Sequence, residues 1–129
     1  MKVRNTVIAG LGALFVFGLG APAMADGDAA AGKKVFAKCR ACHKLEAGKH
    51  GVGPSLHNIV GREVATADGF TKYSKAMKAF GEGKTWDEDL LNSFLEKPKG
   101  LVKGTKMAFP GLRKPEQRAD VIAYLKSVE

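Results

Sequence analysis

Apolar positions recur along this chain with the period of a helix, and no stretch shows the alternation of a half-buried strand. Gly32, Val35, Phe36 and Cys39 fall at i, i+3, i+4 and i+7. They predict a first helix from about Asp28 to Ala41 whose apolar stripe runs into Cys39. A short helix is expected near Ser74 to Ala79. Thr85 and Glu88 have the spacing of a capping box. They predict a helix starting at Thr85, buried through Leu90, Leu91, Phe94 and Leu95 and closed by Pro98. Pro115 suits the first turn of a last helix, in which Val121, Tyr124, Leu125 and Val128 repeat the i, i+3, i+4, i+7 pattern. Glycine-rich loops from Leu45 to Gly69 and from Gly100 to Gly111 connect these elements. The predicted fold class is all-α.

The first residues carry a different pattern. Lys2 and Arg4 precede an almost unbroken apolar run from Val7 to Gly20, followed by Pro22 and Ala23-Met24-Ala25. This reads as a signal peptide over residues 1–25, cleaved after Ala25. The alternative is an uncleaved N-terminal anchor, since counting from Thr6 to Ala25 brings the run near spanning length. Residues 26–129 then form one small domain, with no internal repeat, low-complexity tract or linker. Removing Lys2 and Arg4 lowers the formal charge from +8 to +6, most of it lysine. An exported chain without a stacking platform or recognition motif is not expected to bind nucleic acid. The surplus fits a solvated surface or a face that steers the protein onto acidic partners.

Chemistry concentrates in Cys39-Arg40-Ala41-Cys42-His43. Two thiols separated by two residues and followed at once by an imidazole match the pattern for covalent attachment of a c-type haem. Residues three apart on a helical turn share a face, so both sulfurs can reach one porphyrin edge. His43 can then offer a neutral nitrogen to the iron. A thioredoxin-like dithiol belongs near a βαβ pattern, which is absent. Structural zinc usually needs four Cys or His ligands at paired spacings. Only His50 and His57 remain, both in a loop, and they read as surface histidines. Because Cys39 and Cys42 are the only cysteines, disulfides cannot staple so small a domain, and a haem would supply the missing apolar centre.

An open second iron position would indicate ligand sensing or peroxide chemistry, and a filled one electron transfer. Met1 and Met24 leave with the leader, so Met77 and Met107 are the candidate thioethers. Met77 lies in a helical stretch where a packing role suffices. Met107 lies in an irregular segment between Gly104 and Gly111, which can be shaped around a ligand more readily.

Several further motifs stand in a fixed order: Gly32-Lys33-Lys34-Val35-Phe36, Gly53-Pro54-Ser55-Leu56, Gly61-Arg62, Gly69-Phe70, Trp86, Pro98-Lys99, Gly104-Thr105-Lys106-Met107 and Ile122-Ala123-Tyr124-Leu125-Lys126. With the Cys39–His43 motif they resemble class I cytochrome c, the small bacterial type related to the mitochondrial protein. The resemblance implies a cytochrome c fold around one haem c attached through Cys39 and Cys42, with His43 and Met107 on the iron. It further implies that Pro54 accepts the other ring N–H of His43, that Arg62, Trp86 and Tyr73 hold the propionates, and that Thr105 lies at the cofactor. Gly32 and Phe36 are expected against the last helix near Tyr124. Lys34, Lys38, Lys99, Lys106, Arg113 and Lys114 match or lie close to positions that ring the haem edge.

The implied function is a monomeric periplasmic one-electron carrier, not an enzyme. Its partners would be a bc1-type complex and a terminal oxidase, with a photosynthetic reaction centre or periplasmic dehydrogenase as further candidates. The alternative is a haem enzyme or gas sensor with an open sixth position. Three departures from the family bear on these expectations. Phe94 replaces a tyrosine whose hydroxyl reaches the methionine sulfur in many relatives. Lys103 replaces a common proline. The spacing around Phe70-Thr71-Lys72-Tyr73 is one residue longer than in mitochondrial relatives.

Overall fold

A computed structural model describes Gly18 and residues 26–129. The leader expected over residues 1–25 lies, apart from Gly18, outside the described residues. Among the described residues five helices follow in order: α1 (Ala29–Phe36), α2 (Lys75–Gly81), α3 (Glu88–Glu96), α4 (Pro98–Leu101) and α5 (Pro115–Ser127). No strand occurs among the described residues, and the one β-bridge pairs Glu63 with Thr85. The fold is all-α, as the periodicity predicts. No helix among the described residues is long and apolar enough to cross a membrane.

The frame is α1 laid across α5, with α3 packed on α5 and α4 on α3. Asp28 caps α1 by accepting from the Ala30 and Ala31 amides, while its own amide donates to Asp120 Oδ1 of α5 at 2.8 Å. Gly32 permits the crossing, because a Cβ there would overlap the Asp120 carbonyl and lie 2.8 Å from Tyr124 Cβ. Phe36 and Tyr124 meet beside it, ring centroids 5.4 Å apart. The core continues through Ile59, Trp86, Leu91, Val102, Leu112 and Val121, all buried.

Several sequence expectations are corrected at element ends. α1 stops at Phe36 rather than Ala41. Beyond it, the Lys38 and Cys39 amides donate to residues three positions back, so the chain tightens into turns before the cysteines. α3 begins at Glu88, and Asp87, not Thr85, is its cap, accepting from the Leu90 amide at 2.7 Å. Thr85 is held instead in the bridge to Glu63. Pro98 closes α3 and also opens the one-turn α4, which the periodicity did not show. Val128, expected in the core, lies past the end of α5 and is exposed, while Ile122 is buried. Leu90 is only half-buried.

Candidate haem site

The attachment motif sits on the tight turns after α1. The His43 amide donates to the Cys39 carbonyl at 3.0 Å and the Cys42 amide to the same oxygen at 3.1 Å, closing the five residues into one compact unit. Cys39 is half-buried, packed against the core, and Cys42 is exposed. Burial pushes the Cys39 thiol up, a shift that nearby Lys38 partly offsets. A raised thiol is poorly suited to dithiol exchange, which runs through the thiolate. With haem attached, both sulfurs are thioethers and no longer titrate.

His43 is buried, and its Nδ1–H donates to the Pro54 carbonyl at 2.7 Å. A carbonyl can only accept, so this bond fixes the tautomer and leaves Nε2 with a free lone pair. Burial, more than any other factor, holds the imidazole pKa below its ordinary value; the Pro54 bond opposes this and Arg62 adds to it. The loop that supplies Pro54 lies tightly on the motif. The Gly53 amide donates to the Cys42 carbonyl at 2.9 Å. A Cβ on Gly53 would overlap the His43 ring, so a residue without a side chain is required there.

Arg62, Tyr73 and Trp86 come together although they are far apart in sequence. The Trp86 amide donates to the Arg62 carbonyl at 2.8 Å and the Gly61 amide to the Trp86 carbonyl at 2.8 Å. Arg62 Nη1 donates to the His57 carbonyl at 2.8 Å and Nη2 to the Ser55 carbonyl at 3.0 Å. Its Nε is buried without a partner. Burial lowers the Arg62 pKa, and Tyr73 is close enough to raise it in part. The Tyr73 oxygen accepts from the Ala67 amide at 3.0 Å, which leaves its own hydroxyl hydrogen to donate. An unpaired guanidinium N–H beside a donor hydroxyl calls for an anion.

Met107 is half-buried and packed against the core. Its amide donates to Thr105 Oγ1 at 3.3 Å, and the Thr105 amide to the Val102 carbonyl at 3.1 Å. Gly104 takes a positive φ of 91° and lies against α2, where a Cβ would meet Ala76 Cβ at 3.1 Å. Met77, the other candidate, is a buried residue of α2 beneath its Ser74 cap. The donor set of two thiols, a neutral imidazole and a loop thioether, with an orphaned cation near by, fits a covalently held haem.

The six basic residues expected at the haem edge, Lys34, Lys38, Lys99, Lys106, Arg113 and Lys114, are exposed. Lys106 is partly engaged, its Nζ donating to the Lys72 carbonyl at 3.3 Å. The reading of His50 as a surface histidine is corrected. It is half-buried, its ring lies 5.4 Å from that of Phe70, and both nitrogens are bonded: Nδ1 to the Ser55 amide at 2.9 Å and Nε2 to the Asp68 carbonyl at 2.8 Å. Both partners are main-chain groups of other turns, which no residue pattern announces.

The family model described as Cytochrome c matches residues 29–129. The chain belongs to the cytochrome c family. A cytochrome c2 of Rhodomicrobium vannielii is 48% identical over 119 residues, covering 92% of this chain and 91% of its own. Cytochrome c-554 of Methylosinus trichosporium is 50% identical over 104 residues, covering 80% of this chain and 76% of its own. Among solved structures, cytochrome cH from Methylobacterium extorquens superposes with a TM-score of 0.72 at 50% identity, over 78% of this chain and 99% of that one. This cytochrome c therefore carries one haem c, covalently attached through Cys39 and Cys42, and acts as an electron carrier rather than an enzyme. It exchanges electrons with redox partners.

Proposed function

We propose that this cytochrome c is a periplasmic carrier whose iron is closed on both sides, by His43 Nε2 and the Met107 sulfur. The observation that supports the proposal is the His43 Nδ1–H bond to Pro54, which leaves Nε2 with a lone pair for the iron. When bound, haem supplies reversible one-electron chemistry at iron. The chain does the rest. Methionine, a soft and weak donor, favours the ferrous state and raises the potential. Arg62, Tyr73 and Trp86 hold the propionates, and Thr105 braces the methionine loop through the Met107 amide. Filled axial positions keep rearrangement on electron transfer small.

The exposed basic residues Lys34, Lys38, Lys99, Lys106, Arg113 and Lys114 form the docking rim for acidic faces of partners. A bc1-type complex as donor and a terminal oxidase as acceptor fit such a carrier. A photosynthetic reaction centre or a periplasmic dehydrogenase would meet the same rim. Periplasmic placement rests on the sequence of residues 1–25, and a mature protein beginning at Asp26 is expected by mass spectrometry. The ligand assignment is tested in the oxidised near-infrared spectrum. A thioether-to-iron band and no binding of carbon monoxide are expected, and Met107→Ala should lose the first and gain the second. An intact band in that variant would move the ligand to Met77.

A further inference from the structure

His50 belongs to none of the expected contacts, yet it joins the haem site through a single peptide group. The carbonyl of Pro54 and the amide of Ser55 are two ends of one amide. The carbonyl end accepts from His43 Nδ1 at 2.7 Å, and the N–H end donates to His50 Nδ1 at 2.9 Å. The directions are fixed without assumption about hydrogens, since an amide N–H only donates and a carbonyl only accepts. His50 must therefore present a lone pair at Nδ1 and carry its hydrogen at Nε2, where the Asp68 carbonyl accepts it at 2.8 Å. Ser55 itself is held by Arg62 Nη2 on its own carbonyl, in the following peptide group, and by its hydroxyl, which donates to the Glu46 carbonyl at 2.7 Å.

Resting on the reading of His43 as an axial ligand, we propose that His50 is a positioning residue that tunes the iron through the Pro54–Ser55 amide. Hydrogen bonds in a chain polarise one another. An acceptor at the amide N–H draws charge toward the carbonyl oxygen, which strengthens its pull on the His43 Nδ1–H. A more strongly bonded imidazole is a better donor and favours ferric iron. His50 thus holds the potential below the value that the His43–Pro54 bond alone would set. The same bonds tie the ligand-bearing loop to the turn at Asp68, so the relay sits in a braced frame rather than on a free side chain.

The test compares haem-loaded wild type with His50→Phe, which keeps a ring against Phe70 but offers no acceptor, and His50→Gln, whose carboxamide presents an acceptor and a donor side by side. His50→Leu replaces the first should it not assemble. Midpoint potential and the NMR shift of the His43 Nδ1–H in the reduced protein are read together. The relay requires the potential of His50→Phe to rise, the Nδ1–H resonance to move upfield, and His50→Gln to restore both toward wild type. A brace without a relay would loosen the pocket, admit water and leave the potential unchanged or lower, and that result overturns the proposal. Thr66→Ala, which removes the hydroxyl bond to the Glu63 carbonyl in the neighbouring turn without touching Ser55, must leave the potential in place; an equal rise there overturns it too. Failure of the ligand reading looks different, since the His43 ring resonances of oxidised wild type would then lack shifts caused by the iron.

Discussion

Arg62 brings a cation into a half-buried position with two nitrogens on main-chain carbonyls and a third, Nε, without any partner. Burial opposes its charge, which shows in a lowered pKa. On the proposed assignment, the anion it meets is a haem propionate. Arg62→Gln should therefore both weaken the hold on the propionates and remove a positive charge that favours ferrous iron. A nearby charge at an effective dielectric of about 20 is worth on the order of 1 kcal/mol, or about 40 mV for one electron. The expected change is a lower midpoint potential in a redox titration, with the axial spectrum intact. Phe94 offers the complementary case. It is buried, its ring 5.0 Å from that of Trp86, and has no hydroxyl to donate. Phe94→Tyr adds a donor on the wall of the core; if it reaches the Met107 sulfur, that thioether becomes a weaker ligand and the potential rises. An unchanged titration curve would show that the sulfur is out of its reach.

At the scale of elements, α5 is held by more than its apolar stripe. Arg118 is buried in it, and its guanidinium donates to the Leu112 carbonyl at 2.7 Å, the Arg113 carbonyl at 3.0 Å and Asn92 Oδ1 of α3 at 2.8 Å. One side chain thereby joins α5, α3 and the segment that leaves the methionine loop. Arg118→Met fills similar volume but strands these acceptors, at a cost of about 2–4 kcal/mol. Thermal melts of the holoprotein should fall by roughly 10–20 °C, while Asn92→Ala, which removes one acceptor, should cost about 1 kcal/mol. Nothing in the sequence marks Arg118 as buried, because its partners are mostly carbonyls. The same reason hid His50. By contrast, the helical faces at Val35 and Phe36, at Leu91, Phe94 and Leu95, and at Val121 and Leu125 were legible, since periodicity reports burial directly. Helix starts were less so. Thr85 has the better local pattern for a cap, but the bridge to Glu63 claims its backbone and Asp87 takes the role. The attachment motif was legible because covalent haem chemistry demands particular side chains at a fixed spacing. Arg62, Tyr73 and Trp86 were grouped only through the family resemblance, since no residue pattern by itself brings three loop positions together.

For the whole molecule, short helices around a modest core leave the haem to complete the fold. Replacing both Cys39 and Cys42 by serine removes the covalent hold, and the resulting chain should lack helical signal in far-ultraviolet circular dichroism at 25 °C. Charge is distributed unevenly on the folded protein. Arg113 and Lys114 lead into α5 at one end, whereas Glu88, paired with Lys126, and Glu129 lie at the other. Thirteen residues of helix separate the two ends, about 20 Å at 1.5 Å per residue. That separation exceeds the screening length of roughly 8 Å at physiological salt, so a partner senses two ends rather than one averaged charge. On the proposed docking rim, an acidic partner surface turns the molecule as it approaches, basic end first. Reversing rim charges in Lys38→Glu/Lys99→Glu should slow oxidation by a purified haem–copper oxidase about tenfold or more at low salt. The deficit should shrink toward nothing near 1 M salt, where screening acts within about 3 Å. Reversal at the far end, in Lys126→Glu, should leave the rate nearly unchanged. A salt-independent loss in the rim variant would mean that those lysines shape the contact surface itself and do not steer.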